Sequence, residues 1–299
     1  MAAEPSCARG APPRPPVNAE RVGDRTSSPP RGWHARIELA FRRARERTVV
    51  ASRHSGPLYI QRPFYPGDGV CHVYLLHPPG GLVGGDRLEI SCSIGTGAAA
   101  LVTTPAATKF YRSAGSPSRQ DLAVRVADGA SFEWLPQETI LFGGSIVEST
   151  TEIGLAANAR FVAWETISLG RPAFGDLYRS GRLDQRTRIA VDGRPILIER
   201  TIFEAGDAVL ERDWGFGGRT VLGTLYAYPA DARALDAARG RLDAFSGLYA
   251  GASVVDDVLV VRALAASAET LREAFESVWA ALRAAVIGRA PCAPRIWRT

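Results

Sequence analysis

The sequence of 299 residues lacks the cysteine pairs, histidine clusters and long apolar runs that identify several classes of protein. Its four cysteines are widely separated, which is typical of a reducing cytoplasm rather than of a disulfide framework. No apolar run approaches the roughly 18 residues that cross a bilayer, and the first residues lack the apolar core of a secretory signal. We therefore expect a cytoplasmic protein that neither enters a membrane nor is secreted.

The motifs of the common enzyme classes are also missing. No phosphate loop G-x-x-x-x-G-K-[ST] occurs, and the glycine-rich segment 80–85 fits neither that loop nor the dinucleotide motif G-x-G-x-x-G. The chain contains no H-E-x-x-H, G-x-S-x-G or C-x-x-C. These absences argue against a phosphate-loop NTPase, a dinucleotide-dependent enzyme and the usual metalloprotease and hydrolase classes.

Positive charge is plentiful but dispersed. The net charge is +5, and arginines are interleaved with acids everywhere except in the short basic run 42–47. A nucleic-acid-binding protein concentrates its basic residues on one face or along one helix. We therefore expect no nucleic-acid partner.

Alternation of apolar and polar residues with a period of two predicts β-strands through most of the chain. The alternation begins at Trp33 and recurs over 87–94 and 122–126, and the pair Asp192-Gly193 marks a hairpin turn. Turn residues separate most of these segments, and no sequence repeat of fixed length is present. The pattern predicts an all-β body.

Composition divides the chain into a tail and one larger domain. Residues 1–31 are rich in Pro, Arg, Ser and Gly, as disordered tails are. The domain covers 32–299, with a β-rich body over 32–228 and a final portion over 229–299 that contains helices. We predict that this portion packs on the β-rich body.

Two helices are predicted in the final portion. Apolar residues follow helical spacing over 235–245 and, more clearly, over 271–286. Ser267 or Thr270 can cap the start of the second helix, and Gly288 ends it. The apolar stripe of this helix is predicted to be buried.

Three blocks of residues are more distinctive than any of these patterns. The first covers 61–66, 71–81 and 83–86 (QRPFYP, CHVYLLHPPGG and VGGD), the second 103–112 (TTPAATKFYR) and the third 134–138 (WLPQE). Four shorter segments agree with them: AWE at 163–165, LGRP at 169–172, LYAGA at 248–252 and PRIW at 294–297. Together these segments closely resemble the UreD (also called UreH) family of urease accessory proteins.

The resemblance implies a fold and a function. Members of this family are mainly β, with short strands stacked in helix-like layers and two C-terminal α-helices packed on them. It implies a non-catalytic protein that binds UreF, in a 2:2 complex, recruits the GTPase UreG and docks on apo-urease. No cofactor is expected to bind tightly, because Ni²⁺ is in transit to the urease active site.

Acidic residues within apolar strands are the candidates for a nickel path. Glu165 shares strand parity with Ile167, and Glu199 shares it with Leu197, so both carboxylates are predicted to point into an apolar layer. A buried carboxylate requires a cation, water or hydrogen-bond donors. The acidic and hydroxyl positions that match the nickel path of the family are Asp86, Thr108, Glu133, Glu165 and Glu199.

Ligand chemistry agrees with transit, but other interpretations stay open. Ni²⁺ binds imidazole and thiolate tightly, so a path that releases its ion is better built from spaced carboxylates. Each acid can instead form a buried ion pair, for which four arginines are candidate partners: Arg62, Arg112, Arg171 and Arg200. A purely structural adaptor without a metal path, or a β-rich hydrolase that uses Glu165 and Glu199 as acid and base, are the alternative functions.

The single lysine and the tryptophans allow simpler interpretations. Lys109 is the only lysine beside 35 arginines, and either a packed lysine paired with an acid or a role in gating nickel explains it. Five tryptophans are predicted to lie in the core: Trp134, Trp164, Trp214, Trp279 and Trp297.

Overall fold

The computed structural model describes residues 32–67 and 69–298, so the predicted tail at 1–31 lies outside the described residues. The strands in chain order are β1 (His34–Ala44), β2 (Arg47–Ser55), β3 (Tyr59–Ile60), β4 (Cys71–Leu76), β5 (Arg87–Ile94), β6 (Ala99–Thr103), β7 (Thr108–Phe110), β8 (Ser118–Val126), β9 (Ser131–Trp134), β10 (Thr139–Leu141), β11 (Ser145–Leu155), β12 (Arg160–Leu169), β13 (Gly181–Val191), β14 (Arg194–Glu204), β15 (Val221–Tyr228), β16 (Tyr249–Val255) and β17 (Val258–Ala265). The α-helices are α1 (Ala208–Glu211), α2 (Ala232–Leu242) and α3 (Ala268–Leu282), with short turns of other helical types at Pro172–Phe174, Arg283–Ile287 and Arg295–Arg298.

These strands form two sheets between which the chain alternates. The seven-stranded sheet has the order β14-β13-β11-β8-β5-β1-β2, and the ten-stranded sheet has the order β16-β17-β15-β12-β9-β6-β4-β3, with β10 and β7 joined beside β12. The successive strands β5, β8, β11 and β13 pair in parallel in the first sheet, and β4, β6, β9 and β12 pair in parallel in the second. Each circuit of the chain thus adds one strand to each sheet. This stacking confirms the mainly β, helix-like layered fold.

Two apolar cores follow from the strand alternation. The inter-sheet core contains inward-facing residues of both sheets, such as Ile37, Val124 and Phe161. The helix-side core lies on the other face of the ten-stranded sheet, where residues such as Trp164 meet Phe275. The ten-stranded sheet is therefore buried on both faces, whereas the outer face of the seven-stranded sheet carries exposed ion pairs.

The helices match their predicted signals with one difference. Ser267 caps α3, because its Oγ accepts a hydrogen bond from the Thr270 amide at 3.2 Å, and the apolar stripe of α3 is buried. The helix α2 ends at Leu242, so Phe245 lies beyond the helix that its spacing predicted. No helix of the described part of the chain has the length and apolar character of a membrane span.

Four of the five tryptophans are buried as predicted. Trp214 is the exception, with 74% of its surface exposed. It lies in the turn that follows α1, outside both sheets. The prediction of a core position was wrong for Trp214, because residue type alone does not show that a segment lies outside the strands.

Candidate functional site

Glu165 projects into the inter-sheet core, as its parity on β12 predicted. Its Oε1 accepts a hydrogen bond from Thr151 Oγ1 at 2.9 Å, and its Oε2 accepts one from Gln185 Nε2 at 2.6 Å. Thr151 and Gln185 belong to β11 and β13, so the carboxylate connects the two sheets. Burial raises the pKa of Glu165, and the Thr151 hydrogen bond partly opposes that change. Neutral donors, rather than an arginine, hold this acid.

A cavity of about 280 Å³ surrounds this carboxylate. Other polar residues also line it, among them Thr108, Gln120, Ser149 and Gln185. Gln120, Ser149 and Gln185 occupy one register row across three adjacent parallel strands. A row of polar side chains therefore crosses a layer that is otherwise apolar.

The cavity lies where the ten-stranded sheet is interrupted. The segment 104–107 separates β6 from β7, and the segment 135–138 separates β9 from β10. Residues of both segments line the cavity, together with residues of the loop 77–80. The three distinctive sequence blocks therefore meet at one cavity, although they are up to about 60 residues apart in the chain.

Glu199 borders a second, larger cavity of about 720 Å³ between the sheets, near the edge strands β14 and β16. Its Oε2 accepts a hydrogen bond from the Tyr226 hydroxyl at 2.8 Å, and its Oε1 forms an ion pair with Arg262. Burial is the main cause that raises the pKa of Tyr226, and the charge of Glu165 adds to it. The hydroxyl therefore stays protonated and can donate a hydrogen bond. Gln185 lines both cavities, so the cavity beside Glu165 and the cavity beside Glu199 share one lining residue.

Glu133 and Asp86 lie outside both cavities. Glu133 pairs in register with Val162 and Leu101 of the helix-side core, so it faces away from Glu165. Its oxygens accept hydrogen bonds from Arg283 Nε at 2.8 and 3.0 Å, with both side chains almost fully buried. This arrangement is a buried ion pair.

Asp86 stabilises the glycine-rich turn before β5 by accepting two hydrogen bonds from backbone amides. Its Oδ1 accepts a hydrogen bond from the Trp33 amide at 3.1 Å, and its Oδ2 accepts one from the Val83 amide at 2.8 Å. The five residues expected along one nickel path are therefore not all found at these two cavities. Thr108 and Glu165 share the first cavity, Glu199 lines the second, and Asp86 and Glu133 line neither.

The ion pairs differ from those considered from the sequence. Glu199 pairs with Arg262 and Glu133 with Arg283, and neither arginine was among the four candidate partners. Lys109 lines the first cavity and forms no salt bridge with any residue in the described ranges. The pairing of Lys109 with an acid is thus not found.

Two further observations limit the chemistry of this region. Glu165 and Glu199 line different cavities that share Gln185, rather than one common cleft flanked by both carboxylates. Within residues 32–67 and 69–298, no group of three or more His, Cys, Asp or Glu side chains is arranged to hold a metal ion. Glu165 is held by neutral donors, Glu133 by Arg283, and Glu199 by both Tyr226 and Arg262.

Several polar residues of the region were missed from the sequence. Ser149, Thr151, Gln185 and Thr187 all occupy inward positions of strands whose other inward residues are apolar, such as Ile153. The same parity that identified Glu165 applies to them, so neutral polar residues at inward positions were a usable signal beside the charged ones.

Comparison with known proteins agrees with the resemblance seen in the sequence. The family model described as UreD urease accessory protein matches residues 34–298. A protein of Alkalilimnicola ehrlichii named urease accessory protein UreD is 46% identical over 270 residues, which are 90% of this chain and 92% of that protein. A protein of the same name from Klebsiella aerogenes is 43% identical over 272 residues, covering 90% and 98%. Urease accessory protein UreD 2 of Brucella anthropi is 43% identical over 272 residues, covering 90% and 99%.

Proposed function

Because this chain belongs to the UreD family of urease accessory proteins, we propose that it conducts Ni²⁺ to apo-urease as a non-catalytic scaffold. In this proposal the protein is cytoplasmic, holds no cofactor tightly and carries Ni²⁺ only in transit. It binds UreF in a 2:2 complex and recruits UreG. GTP hydrolysis belongs to UreG, since this chain has no phosphate loop.

The observation that carries the nickel path is the environment of Glu165. Its carboxylate faces a cavity and is held by a hydroxyl and an amide, both of which are neutral. Neutral donors leave the negative charge uncompensated, so a divalent cation gains the full attraction of the carboxylate. Oxygen ligands bind Ni²⁺ less tightly than thiolate or imidazole does, which permits release.

We assign the path to the residues that border the two cavities. An ion entering beside Thr108 meets Glu165, passes Gln185, which lines both cavities, and reaches Glu199. The carbonyl and hydroxyl oxygens of Gln185 and Thr187 provide further ligands along this route. Asp86 and Glu133 support it indirectly, because they fix the turn before β5 and the helix-side core.

The test replaces Glu165 in a host that carries the complete urease gene cluster. We expect E165Q to lower the nickel content of purified urease while UreF still co-purifies with this chain. The matched control is E148Q, because Glu148 lies on the neighbouring sheet with its side chain 46% exposed on the outer face. E148Q is expected to leave urease nickel unchanged.

Two other outcomes lead to different conclusions. If deletion of the gene abolishes urease activity but the E165Q/E199Q double variant activates urease normally, the protein is an adaptor without a metal path. If E165Q also abolishes UreF co-purification or unfolds the protein, Glu165 has a structural role only.

A further inference from the structure

We propose that Arg262 makes the Glu199 end of the path selective for divalent over monovalent cations, by covering the Glu199 carboxylate until a doubly charged ion displaces it. This inference rests on the proposed nickel path. The observation that supports it is the ion pair between Glu199 and Arg262, which lies at the margin of the larger cavity.

The register of the strands places Arg262 at this point. On β17 it shares parity with Val258 and Val260 of the inter-sheet core, and it pairs in register with Thr224. Thr224 in turn pairs with Glu165, so one row of the ten-stranded sheet connects Glu165, Thr224 and Arg262. The arginine therefore lies at the outer end of the polar row that leads inward to Glu165.

The two partners differ in their freedom to move. The Glu199 side chain is 22% exposed and is also held by the Tyr226 hydroxyl, whereas the Arg262 side chain is 61% exposed. On the edge strand β16, the residue opposite Arg262 is Gly251, and no described atom outside residues 250–252 lies within 4 Å of the position that a Cβ would take there. Arg262 thus has open space into which to turn, while Glu199 stays in place.

Charge decides which ions can replace the guanidinium. A monovalent ion brings the same charge as Arg262, and it loses the directional hydrogen bond that the guanidinium makes to the carboxylate. A divalent ion brings twice the charge, so its attraction to Glu199 at equal distance is doubled. Moving an exposed arginine into water costs little. Attraction to the carboxylate therefore favours displacement of Arg262 by Ni²⁺ over displacement by K⁺.

The experiment measures binding of NiCl₂ to the full-length chain by calorimetry, for the wild type, R262Q, E199Q and the E199Q/R262Q double variant. R262Q is expected to bind Ni²⁺ about fivefold more tightly than wild type, which matches the loss of one competing, half-exposed ion pair. Raising KCl to about 150 mM is expected to weaken Ni²⁺ binding more in R262Q than in wild type, since K⁺ then competes for the uncovered carboxylate. R119Q is the control, because Arg119 is similarly exposed and pairs with Glu148 on the outer face.

The double variant separates the possible results. The proposal requires that E199Q/R262Q lose the gain of R262Q, since the gain arises at Glu199. It is overturned if R262Q binds like R119Q while both remain folded, or if the double variant keeps the gain. Urease nickel content distinguishes the two proposals, because a failed path leaves it normal in E165Q whatever R262Q does in the calorimeter.

Discussion

Removing the guanidinium of Arg283 is expected to destabilise the protein far more than removing any surface arginine. Arg283 and Glu133 have 0% and 2% of their side chains exposed, and the Arg283 Nε contacts both carboxylate oxygens at 2.8 and 3.0 Å. R283M keeps most of the side-chain volume but takes the cation away from a buried carboxylate. Breaking a buried pair in this way costs about 3–5 kcal/mol of unfolding free energy. For a chain of this size that corresponds to a fall in Tm of about 10 °C.

The assay is unfolding by heat and by urea, followed by circular dichroism, with R119M as the control. The Arg119–Glu148 pair has a comparable contact of 2.7 Å, but its side chains are 50% and 46% exposed. Its loss is expected to cost less than about 1 kcal/mol. Replacing both buried partners, in E133L/R283M, is expected to recover part of the lost stability, because neither charged group of the pair is then left buried without the other. Equal losses in R283M and R119M, or a double variant no more stable than R283M, would refute this reasoning.

Three further predictions concern the inter-sheet acid, the contact of α3 with its sheet and the cap of α3. Burial raises the pKa of Glu165 above its ordinary value of 4.5, so folding disfavours its ionised form. The resulting penalty is absent below about pH 4.5 and complete above the raised pKa, and the stability of E165Q relative to wild type should therefore increase from pH 4 to pH 8 in urea titrations. G223A is expected to cost about 1–3 kcal/mol in the same assay, because a Cβ there would lie 2.8 Å from the Phe275 ring. S267A is expected to cost about 1 kcal/mol through loss of the α3 cap.

Each of these predictions has a result that contradicts it. A stability difference between E165Q and wild type that does not change with pH would mean that Glu165 titrates as it does in the unfolded chain. The control for G223A is G154A, where the atom nearest to the added Cβ would be a backbone oxygen at 3.7 Å, and equal costs would contradict the close packing of α3. A hydrogen-exchange pattern of S267A that matches wild type in the first turn of α3 would contradict the cap.

Strand parity made much of the inter-sheet arrangement predictable, whereas the pairing partners were not. Glu199 lies on β14, where burial alternates, so its direction could be read from its neighbours. Glu165 lies on β12, where both faces are buried, so its parity grouped it with Ile167 but no alternation showed which core that face meets. Glu133 lies on a strand of four residues that are all buried, because the ten-stranded sheet is covered on both faces. With no exposed face there is no alternation, so sequence could not show which way Glu133 points.

The partners and the cavity depend on contacts that are distant in sequence. Arg283 lies 150 residues from Glu133, and Arg262 lies 63 residues from Glu199. The cavity lies where the gap between β6 and β7, at 104–107, and the gap between β9 and β10, at 135–138, are next to each other in the ten-stranded sheet. The apolar period of a strand shows which of its side chains share a face. It does not show how successive strands are aligned with one another, because that alignment depends on the register of both sheets.

The candidate acids differ in what compensates their charge, and on the proposed nickel path this difference decides which of them can serve a passing cation. Glu133 faces a guanidinium in a site with almost no exposure, so an arriving ion would have to displace a partner that has no route to water. Glu165 faces a hydroxyl and an amide, which reorient without moving a charge and can turn their oxygens towards a cation. Glu199 is intermediate, because its partner is an arginine with access to water. A path for Ni²⁺ therefore requires mobile or neutral partners beside each carboxylate, and burial of the carboxylate alone is not sufficient.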